Sequence, residues 1–361
     1  MKKLISLILA LVMLLSLGLC SGAAAEKEVD TKKIGVLAAL NIDEEEMTKY
    51  VKASGYMTGR LVELGYCEAP LLIHTNALLD GNLDLRVVYY DTLDSMQMAL
   101  SAGDIFSMYL YTATARYLCA VNDELVQVSQ YKPLDEDTSL VIKNAYNTFK
   151  RNDFAFLMAA GNEALRDEFN EAITAIREDG TMEKLTAEYI EDVIAGKDVS
   201  PIEIPVIEGA ETIKVAITGC LPPMDYIAPD GTAAGFNTAL LAEISKRLGK
   251  NIELLQVNSL GRSAAVASGV VDAVFWTRTN SVSSQLVDVP IEEIEKNIQA
   301  AFDAMSEEDK KIDAVLRETV DFAEYWRMDI PEGTIATIPY YTDMGTMVIL
   351  KTSSDNILAD Q

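Results

Sequence analysis

The chain has 361 residues, with 56 acidic against 30 basic side chains, a formal net charge of −26 and a pI near 4.4. That balance repels phosphate backbones and excludes nucleic-acid binding as a function class; its plain meaning is a solvated, soluble surface. A hydrophobic content of 49% excludes general disorder, and the length fits two compact units or one large one.

Cys20, Cys67, Cys119 and Cys220 stand far apart with no Cys-x-x-Cys spacing, so neither a disulfide framework nor a zinc site is expected. The single histidine, His74, reads as a surface or core residue and leaves little from which to build a hydrolase triad. No catalytic residue, cofactor or metal is expected.

Residues 1–25 read as an export signal: Lys2 and Lys3, an apolar run over 4–19, then small residues. The run is short for a membrane span of ~20 residues. Two processing routes are open. Ala23-Ala24-Ala25 fits cleavage before Glu26, and Cys20 after Leu17-Gly18-Leu19 fits a lipid-anchored form, although Leu19 is larger than the residue usual there. Either route predicts a periplasmic or extracellular protein.

The pattern then predicts a strand at 34–37 and a helix opened by the capping pair Asp43 and Glu46. A strand at 86–90 follows, then a helix whose Leu93, Met96 and Leu100 face the core and which Gly103 ends. A strand at 105–110 and a helix over 112–118 come next. After a strand at 154–159, Leu165, Phe169, Ile173 and Ile176 mark a helix stopped before Gly180, and a last helix runs over 181–194. Residues 195–211 carry two prolines and no helical period, and read as a linker.

The second half opens with a strand at 213–217, a Pro-Pro turn and an Asp-Gly turn. Asn237 is expected to cap a helix with inner face Leu240, Leu241, Ile244 and Leu248, ended by Gly249. Another strand, a helix and a strand ending at Trp276 complete a β-turn-α-β-α-β unit, which argues for a parallel sheet with helices over it. An insertion at 285–327 is read as helical, with Ile291, Ile294, Ile298, Phe302 and Met305 in one stripe. A turn at Pro331-Glu332-Gly333, the Tyr340-Tyr341 pair and a strand at 346–350 close the chain.

The segments IKVAITGCLPPMDY, PDGTAAGFNTALLAEISKRLGKNIELL, ASGVVDAVFW and IPYYTDMGTMVILK, in that order, resemble the bacterial family 3 extracellular solute-binding proteins, of the type 2 periplasmic-binding fold. In that family these build lobe 1. KKIGVLAALNIDEEEM, VVYYDTLDSMQMALSAGDIFSMYLYTATARYL and FAFLMAAGNEALRDEFNEAITAIREDGTMEKLTAEYI resemble the family's lobe 2, its returning crossover and its terminal helices. The resemblance thus implies a two-lobed α/β fold in circularly permuted order. Lobe 2 takes 31–153, the crossover strand and terminal helices 154–195, the linker 196–211 and lobe 1 212–350. That order requires Lys33 and Lys351 to lie close together. A truncated tandem pair of incomplete modules is the alternative.

The resemblance places a ligand cleft at strand ends, lined by Met224, Tyr226, Trp276, Thr277, Arg278 and Thr279 on lobe 1 and by Asn41, Tyr111 and Thr112 on lobe 2. The family's Thr-x-x-Arg segment is replaced by Ser281-Val282-Ser283-Ser284, and Tyr111 stands where its lobe 2 aspartate would be. A standard α-amino acid is therefore in doubt. Arg278, with its bidentate fork, points to a carboxylate-bearing polar solute. The implied function is capture of such a solute for an ABC permease by a monomeric binding protein. The other readings are a non-transport ligand sensor or degenerate surface binding protein, and a dehydratase using an acid such as Glu44 or Asp225.

Overall fold

A computed structural model describes residues 30–38, 67–68, 83–132, 151–258, 261–277 and 330–353, with scattered helical positions between 292 and 314. The predicted helix after Asp43 and most of the 285–327 insertion lie outside these residues.

β1 (Asp30–Leu37) opens the described chain, and β2 (Cys67–Glu68) forms a small separate ribbon with a later strand. β3 (Leu83–Tyr90) runs parallel to β1 over its whole length, Asp30 beside Leu83 through Leu37 beside Tyr90. Helix α1 (Leu93–Ala102) begins where the Thr92 hydroxyl accepts the Ser95 N–H at 3.2 Å, and ends at Gly103 in the left-handed region, φ 77°. Its buried Leu93, Met96 and Leu100 are those the periodicity selects. β4 (Ser107–Tyr111) is buried at every position and passes directly into α2 (Thr112–Val121). The strand starts two residues later than predicted, because the backbone before it closes α1: Asp104 N–H donates to Ala99. β5 (Leu125–Gln127) and β6 (Gln130–Tyr131) follow, the latter completing the ribbon with β2.

β7 (Arg151–Ala159) crosses to the other lobe. It feeds α3 (Glu163–Glu178) and then α4 (Thr181–Thr186), which continues as a π-helical turn over Ala187–Asp192. Met182, Leu185, Tyr189 and Ile190 from this segment bury themselves with Leu240 and Ile244. Residues 196–211 are irregular, as predicted, but they form a docked strap. Asn251 grips it through both amide atoms, accepting from Ile207 N–H at 2.7 Å and donating to Ile207 O at 2.9 Å. Val199, Ile202 and Ile204 pack on the core.

β8 (Thr212–Ile217) leads into the short strands β9 (Cys220–Leu221), β10 (Asp225–Ile227) and β11 (Ala233–Ala234), a three-stranded antiparallel patch. Helix α5 (Phe236–Leu248) follows. Its cap is Gly235, not Asn237. At φ 99°, with the Met224 and Pro223 carbonyl oxygens 2.7 Å from where a Cβ would stand, only glycine fits there. Asn237 is instead buried in the first turn and accepts the Tyr340 hydroxyl at 3.2 Å. β12 (Asn251–Gln256), α6 (Arg262–Ala267), β13 (Ala273–Thr277), β14 (Thr334–Ala336) and β15 (Tyr341–Leu350) complete the order.

The strands join in one sheet, β12-β8-β13-β7-β15-β4-β1-β3, with β14 on β7 and β5 on β15. Lobe 1 is built on β8, β12, β13 and β14, with β7 inserted antiparallel beside β13; lobe 2 is built on β1, β3, β4 and β5, with β15 inserted antiparallel beside β4. This is a two-lobed α/β architecture, each lobe a set of strands with helices packed against it. The two inserted strands pair with each other, Tyr341 beside Phe154 through Met344 beside Arg151, and form the hinge. One apolar cluster runs through it, from Ile34 and Tyr111 in lobe 2, across Phe154 and Phe156, to Phe236 and Leu240 in lobe 1. Each such side chain contributes on the order of 1.5–3 kcal/mol when fully buried.

Met108 on β4 pairs with Gly35 on one side and Val348 on the other. Gly35 of β1 and Val348 of β15 are therefore two strand spacings apart, about 10 Å. Lys33 O accepts from Phe106 N–H at 2.8 Å, and Lys351 N–H donates to Glu124 O at 2.8 Å, both at the same end of lobe 2.

Candidate binding cleft

The candidate cleft is taken where β9 and β10 of lobe 1 approach α1 and α2 of lobe 2. The α2 helix is central to it, because Tyr111 and Thr112 form its entry. Tyr111 is buried, with its ring edge against Phe154 at 4.9 Å. The Thr112 hydroxyl donates to Met344 O at 3.0 Å.

The first turn of a helix carries amide hydrogens without intrahelical partners, and a positive end of the dipole, which together attract an anion. On α2 that anion is Asp343 of the hinge strand. Its carboxylate accepts from Ala113 N–H at 2.9 Å and from Met344 N–H at 2.7 Å, and the Thr112 N–H also faces it. Burial nevertheless prevails over these donors and over Arg116, pushing the Asp343 carboxyl up to about 6. Arg116, one turn along α2, makes a two-pronged ion pair with Glu191 at 2.8 and 2.6 Å.

On lobe 1, Asp225 is the organiser. It accepts from Thr218 N–H at 2.7 Å, the Thr218 hydroxyl at 2.8 Å and Gly219 N–H at 3.2 Å, fixing the turn after β8. Arg262, almost wholly buried, donates to Phe275 O at 2.7 Å and faces Asp225, Tyr111, Tyr340 and Cys220. Burial raises the Asp225 carboxyl and lowers the Arg262 guanidinium, while each opposes the other's shift. Tyr340 closes the group; burial holds its phenol well above its usual range.

The lobes touch at the mouth. Burial raises the Tyr226 phenol, and Tyr117 of α2 adds to the effect from across the cleft. Burial also pushes the Cys220 thiol up, against hydrogen bonds from Thr218 and from Leu93 N–H at the start of α1.

Of the residues expected from sequence, Tyr111 and Thr112 stand at the start of α2, and Tyr226 on β10 lies near Tyr117 of the same helix. Met224 lies in the main core at 1% exposure. Trp276 and Thr277 are placed by their backbone on β13, beside Ala155 and Phe154 of the crossover. Asn41, Arg278 and Thr279 lie outside the described residues, as does Glu44. Sequence reading overlooked Arg262 and Asp343. The signal for Arg262 was a lone cation opening an otherwise small and apolar helix, RSAAVA. Asp343 had none beyond being a single acid between two apolar stretches. Among the described residues, no group of three or more His, Cys, Asp or Glu side chains could hold a metal ion. No helix among them is long and apolar enough to cross a membrane.

The sequence family described as bacterial extracellular solute-binding proteins, family 3, matches residues 213–286. No curated protein matches the chain. Among solved structures, the chain is similar to the ligand-binding component of an ABC-type import system from Staphylococcus aureus with zinc bound. That match has 9% identity and a TM-score of 0.35, covering 91% of this chain and 70% of that one. It is also similar to the VFT2 domain of BvgS from Bordetella pertussis, at 11% identity and TM-score 0.29, covering 91% and 83%. A third is the reduced OxyR regulatory domain from Pseudomonas aeruginosa, at 9% identity and TM-score 0.31, covering 92% and 95%. Likeness at this level names neither a ligand nor a partner.

Proposed function

We propose that the chain is an exported binding module of the type 2 periplasmic-binding class which acts as a ligand sensor or surface binding protein, outside solute import. One observation carries the reading. The α2 N-terminus, beside the residues expected to grip a polar solute, is filled by the protein's own Asp343 carboxylate. Thr112 is spent in the same way, its hydroxyl on Met344 O. An amino-acid-like or carboxylate-bearing solute would have to compete with a group held in place by the hinge strand itself.

Delivery of such a solute to an ABC permease is the second reading, favoured by the family match over 213–286. A thermal-shift panel of amino acids, carboxylates and short peptides at millimolar concentration separates the two. A ligand at 100 times its Kd adds about 2.7 kcal/mol of stability. The sensor or surface reading expects no such gain from free polar amino acids. A micromolar amino acid or carboxylate, with binding weakened in Arg278→Ala, would overturn it and restore the import reading.

The order of the chain is proposed to be a circular permutation of the family's. Support comes from β1 and β15 flanking β4 with Gly35 and Val348 level across it, near the points that the usual order would join. The docked strap at 196–211 then replaces the family's free ends.

A further inference from the structure

The α2 helix is held at two points, one by the hinge strand β15 and one by lobe 1. At its start, Ala113 N–H is bonded to Asp343 on β15, within the segment where β15 pairs with the crossover strand β7. One turn on, Arg116 is bonded to Glu191 through both guanidinium nitrogens, at 2.8 and 2.6 Å. Glu191 belongs to the π-helical turn that follows α4, whose Tyr189 and Ile190 pack into lobe 1 beside Leu240 and Ile244. The Arg116–Glu191 pair therefore crosses between the lobes, whereas the pair Lys246–Glu243 stays within a single helix. Arg116 also faces Tyr341 and Asp343, so one cation stands between an acid of the hinge and an acid of lobe 1.

We propose that Glu191, Arg116 and Asp343 form an electrostatic clamp across the hinge, which ties α2 to lobe 1 and sets how far the cleft closes. The proposal rests on the reading of the chain as a two-lobed binding module and adds the means by which its closure is regulated. Geometry makes the clamp a lever. The helix it grips is the one that begins at Tyr111 and Thr112, so loosening it moves the cleft wall. Arg116 and Glu191 are about half exposed, so mobile ions reach the pair and screen it, and an ion bound to either partner does not tie the two lobes together. Closure should therefore weaken as ionic strength rises.

The test is the distance between lobes in the full ligand-free chain. Spin labels are placed at the exposed positions Met98 on α1 and Val270 after α6, through a non-canonical amino acid that leaves the native cysteines untouched. Pulsed dipolar spectroscopy then reads the distance distribution at about 50 mM and about 1 M salt. The native chain should give a narrow distribution at low salt and a broader, longer one at high salt. Glu191→Gln and Arg116→Gln should each give the broad form already at low salt, with the salt response lost and no further change in the double variant. Lys246→Gln should behave as native. Circular dichroism confirms that each variant is folded; should Arg116→Gln fail to fold, Glu191→Gln decides alone. A folded Glu191→Gln whose distances and salt response match the native chain overturns the clamp. Because no ligand is present, that failure is separate from failure of the binding-module reading, which the ligand panel decides whatever the distances are.

Discussion

Asp343 illustrates how one buried charge can be both well bonded and uncomfortable. Two backbone donors at normal hydrogen-bond distances favour its ionised form, yet burial lifts its carboxyl from near 3.8 to about 6. The folded state thus holds the proton more tightly than the unfolded chain does. The stability this contributes is fully present below about pH 3.8 and is lost as pH rises through about 6. The shift corresponds to at most about 3 kcal/mol. Urea unfolding between pH 4 and 8 should show native stability falling across that window, and Asp343→Asn should remove that part of the slope. Asp343→Asn should accordingly cost more at pH 4 than at pH 8. Asp225 plays a different part. Its three donors and the facing Arg262 make it a structural anchor, so Asp225→Ala should strand the Thr218 and Gly219 donors, remove the charge facing Arg262 and cost about 3–5 kcal/mol by denaturant unfolding.

Elements were legible where a period and a stop signal coincide. Leu93, Met96 and Leu100 with Gly103, and Leu240, Leu241 and Ile244 with Gly249, mark faces and ends that the structure retains. Two features escaped for a shared reason: each depends on a partner distant in sequence. β15 starts at Tyr341 rather than 346, because Asp343 and Met344 pair with β7 and Asp343 finds its donors on α2. The segment 196–211 read only as a linker, because the anchoring Asn251 lies beyond a whole β-α unit. Asn251→Ala should strand Ile207 N–H, cost roughly 1–3 kcal/mol, and expose the strap to limited proteolysis. Unchanged proteolysis would mean that Val199, Ile202 and Ile204 alone hold it.

At the scale of the molecule, the resemblance anticipated two lobes and a hinge, and the topology has both. The candidate cleft was less legible. Tyr226, Tyr111 and Thr112 were selected because they stand at strand ends, where α/β sheets bind ligands. Arg262 and Asp343, the buried charges beside it, are defined by what surrounds them in space. The proposed permutation can be tested on the chain itself. A reordered version, cut within the strap after Glu203 and joined from Lys351 to Lys33 by a short Gly-Ser link, should fold with the same circular dichroism and a melting temperature within a few degrees. Failure to fold in that order would favour the tandem alternative.

The central claim is that the protein's own carboxylate occupies the ligand-facing end of α2. The Ala113 amide resonance tests it most directly, followed by NMR as free amino acids and small carboxylates are added at neutral pH. The account predicts a strongly downfield amide that moves with pH in a single transition near 6 and stays in place as each compound is added. An Ala113 amide that shifts in a saturable way with any of them, while Asp343 moves to a solvent-exposed carboxyl shift, would contradict it.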